Sequence, residues 1–240
     1  MIKINSAVLI IHGFAGGTYD EEDLANYLEL NRFLDVFQFT LPGHKKNLSN
    51  VGYKEWIDYS EEKLKWLISM GYTRIYLIGH SLGGVIATYL ATKYKEVKKL
   101  ILAAPAFQYL DIIGGEVHIK NSIKLAPQIV KTYGGSELVS RFLKLNIRST
   151  KEFANLIKEY YEYPKKIKCP LLLLHGNKDD VVPISSSQYV YDNAKSKIKK
   201  MVLIDDVTHD LFSSERDEVI FKTVKSFIKD IHIEGGIYNI

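Results

Sequence analysis

Only one of the 240 residues, Cys169, is a cysteine. A disulfide within the chain is excluded, and the composition fits a reducing compartment, so the expected location is cytoplasmic. Cys169 stands before Pro170 at the foot of an apolar run, the place of a buried, inert thiol rather than a nucleophile. Long apolar runs are missing too. None approaches the ~20 residues of a membrane-crossing helix, and the first, residues 7–11, is too short for the core of a signal peptide. No stable membrane insertion is expected. Charge of one sign is scarce, with a net +4 and 25% charged residues. The lysine pairs (Lys98-Lys99, Lys165-Lys166, Lys199-Lys200) flank apolar runs as solvated strand entrances. They form no basic stripe with interleaved aromatics, so no nucleic-acid partner is expected. Histidines and carboxylates show no ligand spacing such as H-E-x-x-H, which leaves no metal site. The glycines of Gly13-Phe14-Ala15-Gly16-Gly17 lack the order of a dinucleotide or phosphate loop, so no cofactor is expected. Nothing in the pattern bears on oligomeric state.

What is present is an alternation. Apolar content is 46% and the length suits one large α/β domain. Apolar-rich runs at 7–11, 36–39 (interrupted by Gln38), 75–78, 100–104, 170–175 (ending on His175) and 201–204 read as six strands, the first of them a continuous apolar run buried on both faces. Between them lie helical stripes: Leu24, Tyr27 and Leu28; Tyr53, Trp56, Ile57, Leu64, Leu67 and Ile68; a run after Gly84; and helices near 184–195 and 215–230. Strands alternating with amphipathic helices predict a mostly parallel sheet covered on both faces. Residues 107–165 break the alternation and hold no clear strand. Leu138, Val139, Phe142 and Leu143 suggest one helix there. Ser149-Thr150-Lys151-Glu152 reads as a capping box opening another that contains Phe153, Leu156, Ile157 and Tyr160.

The stretch that organises the chain is Ile75-Tyr76-Leu77-Ile78-Gly79-His80-Ser81-Leu82-Gly83-Gly84. A G-x-S-x-G pattern between a strand and a helix puts the serine on a sharp turn, with its hydroxyl projecting outward. Side chains at 79 or 83 would collide with the neighbouring strand or helix. The helix that follows aims free N–H groups and its positive dipole end at Ser81, where negative charge on a substrate oxygen would be stabilised. A serine hydroxyl is a poor nucleophile without a base in reach and an acceptor to orient that base. In an open parallel sheet ligands bind at the carboxyl ends of the strands. On that rim stand His12, Gly13 and Phe14; Ser81; Asp179 and Asp180; and Asp205, Asp206, His209 and Asp210. A serine, an acid and a histidine thus occur in the chain order used by α/β-hydrolases.

The pieces His12-Gly13-Phe14, Pro42-Gly43-His44, Gly79-His80-Ser81-Leu82-Gly83-Gly84, Gly176…Asp179…Val182-Pro183 and Thr208-His209 span nearly the whole domain. Together they resemble the α/β-hydrolase-fold serine esterases of the small bacterial carboxylesterase and monoacylglycerol-lipase type. The resemblance implies that Ser81 is the nucleophile, His209 the base and Asp179 the acid, with the backbone N–H groups of Phe14 and Leu82 as the oxyanion hole. It implies a core of residues 1–106 and 166–240 and a small helical cap, 107–165, inserted after the fourth strand. The expected activity is cleavage of short to medium acyl esters or monoacylglycerols, small molecules, through an acyl-enzyme. A thioesterase, amidase or carbon–carbon hydrolase on the same triad is the alternative, and a binding protein without turnover is a rival of another class. His44, His80 and Phe107 are candidate pocket residues; His12 and His175 read as structural. Two departures from the family pattern stand out: its first antiparallel hairpin is missing or reduced, and Lys45 follows Pro-Gly-His where the family often has glycine.

Overall fold

A strand covered on both faces is apolar along nearly its whole length, and Ser6–Ile11 and Leu171–Gly176 are buried at each position, with Ser6 and His175 the polar members. The computed structural model describes residues 5–30, 34–44, 51–109, 112–113, 116–117, 147–230 and 232–240. In chain order the elements are β1 (Ser6–Ile11), α1 (Glu22–Glu29), β2 (Asp35–Phe39), α2 (Tyr53–Ser69), β3 (Arg74–His80), α3 (Leu82–Lys93) and β4 (Val97–Ala103). Then come β5 (Gln108–Tyr109), β6 (Ile112–Ile113), β7 (Glu116–Val117), α4 (Ile147–Tyr160), β8 (Leu171–Gly176), α5 (Ile184–Asn193), β9 (Lys199–Ile204), α6 (Asp217–Lys229) and β10 (Gly236–Asn239).

The main sheet runs β10-β9-β8-β4-β3-β1-β2, and every pairing in it is parallel. Strand β3 lies between β1 and β4, so Ser81 leaves the sheet near its middle. Helices cover both faces; α1 packs on α6, and α4 lies across α2 and α3. Helix α3 is apolar all round, with Leu82–Thr88 and Leu90 buried, as befits a helix enclosed by sheet and neighbours.

Three details differ from the sequence-based expectation. The sheet has a seventh strand, β10, added on the β9 edge. The 107–165 stretch is not free of strands, because β5, β6 and β7 form a small antiparallel sheet. Helix α4 begins at Ile147, two residues ahead of Ser149, so Ser149 and Glu152 do not form the opening capping box. The Glu152 carboxylate instead accepts the backbone N–H of Tyr53 at the start of α2 (3.1 Å). The helix expected around Leu138, Val139, Phe142 and Leu143 lies outside the described residues, as does Lys45. Among the described residues no helix is long and apolar enough to cross a membrane. Cys169 is half-buried, and burial pushes its thiol up to about 11.

Candidate active site

Ser81 joins β3 to α3 with φ 54° and ψ −116°, a left-handed conformation that an L-residue adopts at a cost of about 1–3 kcal/mol. The surroundings enforce it. The Ser81 N–H donates to the Ala103 carbonyl (2.9 Å), and its own carbonyl accepts from Gly84 (2.9 Å) and Ala106 (3.0 Å). Glycine is required on both sides. A Cβ at Gly79 would lie 2.8 Å from the Ala87 Cβ, and one at Gly83 would strike the Ile11 carbonyl at the end of β1. The strand and helix therefore approach more closely than any side chain permits.

The loop after β1 passes over the serine. A Cβ built on Gly13 would lie 3.2 Å from the Ser81 Cβ. His12 ties this loop to the β2 side: its Nε2 accepts the Leu41 N–H (2.9 Å), while Nδ1–H donates to the Gly13 carbonyl (2.7 Å). Burial, with His44 nearby, pushes His12 down to about 3, so the ring is neutral. Among the described residues the Phe14 and Leu82 N–H groups donate to no acceptor. They are free donors flanking Ser81, at the loop and at the first turn of α3.

Asp179 and His209 come from the loops after β8 and β9. His209 Nδ1–H donates to Asp179 Oδ2 (2.8 Å), and Asp179 Oδ1 accepts the N–H groups of Val181 (2.9 Å) and Val182 (2.8 Å). The Asp179 side chain is fully buried. Burial opposes its charge, yet His209 and the Val182 N–H outweigh it and hold the carboxyl below its usual range. His175 Nε2 stands 3.5 Å from the same oxygen but donates to the Val182 carbonyl (2.9 Å), and its Nδ1 accepts from Ser187 Oγ (2.7 Å). His175 braces the acid loop. The His209 ring lies against that of His80, the residue before Ser81, with centroids 5.0 Å apart. No hydrogen bond joins Ser81 Oγ to His209 among the described residues; the contact that brings the base to the end of β3 is the one with His80.

The three pocket candidates have distinct surroundings. His44 is buried between His12, Phe14 and Trp56; its Nδ1–H donates to the Pro42 carbonyl (3.1 Å) and burial pushes the ring down to about 4. Phe107 is fully buried, its ring turned to Tyr189 on α5. His80 is engaged by Glu21 and the His209 carbonyl. An aromatic wall stands beside the serine loop: Phe14 stacks on Phe153 of α4 (4.9 Å), which meets Tyr109 (4.8 Å), while Trp56 flanks Phe14 (6.0 Å). Glu21 escaped notice in the sequence because Asp20-Glu21-Glu22-Asp23 reads as a solvated helix start. Among the described residues no group of three His, Cys, Asp or Glu side chains could share a metal ion.

The same design appears in known proteins. A family model described as the alpha/beta hydrolase fold matches residues 6–119, and one described as serine aminopeptidase, S33, matches residues 115–217. A carboxylesterase of Bacillus subtilis (strain 168) is 23% identical over 235 residues, 95% of this chain and 94% of its own. A thermostable monoacylglycerol lipase of Bacillus sp. (strain H-257) is 23% identical, covering 84% and 82%. Among solved structures, the monoacylglycerol lipase of Paleococcus ferrophilus superposes with a TM-score of 0.71 at 18% identity, covering 92% of this chain and 93% of that one. With the parallel sheet, the strand-to-helix serine turn and two models that overlap at residues 115–119 and together span 6–217, these findings make the chain an α/β-hydrolase-fold enzyme, akin to the carboxylesterases and monoacylglycerol lipases.

Proposed function

We propose that the enzyme cleaves carboxylic esters through an acyl-enzyme on Ser81. The observation that carries this reading is the short His209–Asp179 contact beside a serine in a left-handed turn. Ser81 Oγ attacks the ester carbonyl while His209 Nε2 takes its proton, the Ser81–His209 hydrogen bond forming as substrate arrives. Asp179 fixes the His209 tautomer with Nδ1–H and stabilises the imidazolium. The free N–H groups of Phe14 and Leu82 receive the oxyanion as the carbonyl becomes tetrahedral. His209 then protonates the departing alcohol, and water repeats the sequence to release the acid.

Residues 107–165 serve as the cap in this reading. Its described parts, β5–β7 and α4, bring Tyr109 and Phe153 to the aromatic wall. Bulky rings narrow an apolar pocket, which supports short to medium acyl esters or monoacylglycerols as substrates. The S33 aminopeptidase model makes amide cleavage the runner-up.

The test is a panel of p-nitrophenyl esters of rising chain length, with acyl thioesters and aminoacyl amides alongside, plus fluorophosphonate labelling. Ser81→Ala is expected to fold, to take no label and to lose on the order of a millionfold in turnover. An alanine variant that keeps a tenth of the activity would overturn the assignment. Preference for the amides would replace the ester reading.

A further inference from the structure

Glu21 and His80 take part in none of the steps above, yet both are buried in the site. Glu21 precedes α1, and His80 ends β3 directly before Ser81. The His80 ring bridges two oxygens. Nδ1 lies 2.9 Å from Glu21 Oε1, and Nε2 lies 3.1 Å from the backbone carbonyl oxygen of His209. A carboxylate and a carbonyl have no proton to give, so both ring nitrogens must donate, and only an imidazolium does that. A neutral ring would turn a lone pair toward one of these oxygens inside the protein.

The groups facing the ring agree. Glu21 and Asp20 approach from the turn before α1, His12 from the end of β1, and His209 and Asp210 from the segment after β9. Burial opposes the charge on His80, but Glu21 overrides it, with smaller help from Asp210 and Asp20, and lifts the ring to about 9. Phe212 closes the remaining side, its ring 5.7 Å away.

His209 itself lies in irregular chain between β9 and α6. Its imidazole is tied to Asp179, and its carbonyl accepts the Leu211 N–H (3.0 Å), a bond that stays within the same segment. The His80 Nε2–H ties that carbonyl to the end of β3, beside Ser81. We infer that Glu21 and His80 form a positioning device for the base: Glu21 keeps His80 doubly protonated, and His80 clamps the His209 backbone so that its ring is held over Ser81. This rests on His209 being the base.

The experiment measures kcat, KM and thermal unfolding on a p-nitrophenyl ester for Glu21→Gln and for the double variant Glu21→Leu/His80→Phe. The double variant removes both charges together and leaves neither buried alone. It is expected to fold with kcat lowered about 10- to 100-fold and KM within about threefold, since a misplaced base slows chemistry rather than binding. In Glu21→Gln the ring becomes neutral and the clamp drops from a charge-assisted to an ordinary hydrogen bond, lowering kcat about 3- to 10-fold. Nitrogen-15 NMR at pH 8 reports the state directly: two ring N–H signals from His80 in the parent, one in Glu21→Gln. A folded double variant with kcat within about threefold of the parent overturns the inference, and so does a parent His80 with one N–H. If the double variant does not fold, the kcat of Glu21→Gln decides. Activity surviving in Ser81→Ala would instead remove the triad reading beneath it, a distinguishable failure.

Discussion

Among the described residues five buried histidines gather at the carboxyl ends of the strands, and their neighbours give them different work. His12 and His175 each accept one hydrogen bond and donate one, the pattern of a neutral brace. Their placement at strand ends was legible in the sequence, and so was their structural reading. His80 was legible only as a neighbour of Ser81, because its partner Glu21 lies 59 positions away in a run of acids. The choice among Asp179 and Asp180 rested on family spacing, since both follow β8. In the structure Asp179 is the one bonded to His209. Asp179→Asn is expected to cost on the order of ten-thousandfold in kcat, because an amide no longer fixes the Nδ1–H tautomer. Asp180→Asn should stay close to the parent. Steady-state kinetics of the two variants checks this, and the opposite ranking would move the acid.

The strands and helices that carry long apolar patterns were readable to within a few residues, because burial on both faces leaves an unbroken run and an amphipathic helix leaves a stripe. The exceptions are elements too short to show a period. Strand β10 is Gly236-Ile237-Tyr238-Asn239, half-exposed and alternating, with no apolar run. Strands β5, β6 and β7 have two residues each. Helix α4 was located by its apolar face, but its start was misplaced, because Glu152 answers a donor on α2 rather than its own N-terminus. That tie and the Tyr53–Glu159 hydrogen bond (2.5 Å) fasten α4 to α2, while Phe153 rests on Phe14. Phe153→Leu should therefore open the wall locally and move the preferred acyl chain toward longer esters. Each methylene newly accommodated is worth ~0.8 kcal/mol, or about fourfold in kcat/KM. An unchanged chain-length profile would take α4 out of the acyl pocket.

Across the whole molecule the buried histidines set opposing responses to pH. His80 is raised above its unfolded value of about 6.5, so its stabilisation is complete below that pH and is lost as the pH climbs through about 9. His44 and His12 are depressed to about 4 and about 3; their contributions hold above about 6.5 and fade as the pH falls through those values. Asp179, also depressed, adds to the loss in acid. Thermal unfolding followed from pH 4 to 9 should give its highest midpoint near neutrality and decline on both sides, with a shallower alkaline decline in Glu21→Gln. A midpoint still rising between pH 7 and 9 would contradict a charged His80.

The parallel course of all seven strands in the main sheet also orients the enzyme at a surface. β1 starts at the edge of the sheet away from Ser81, whereas β10 runs out on the same edge as the serine, with the Ile240 carbonyl accepting the Asp205 N–H (2.8 Å) a few residues before His209. A bead or sensor chip coupled at Asn5, just ahead of β1, would present the rim that carries Ser81 to the solution. Coupled at Asn239, the end of β10, the same molecule would turn that rim to its support, and bulky esters would be excluded before small ones.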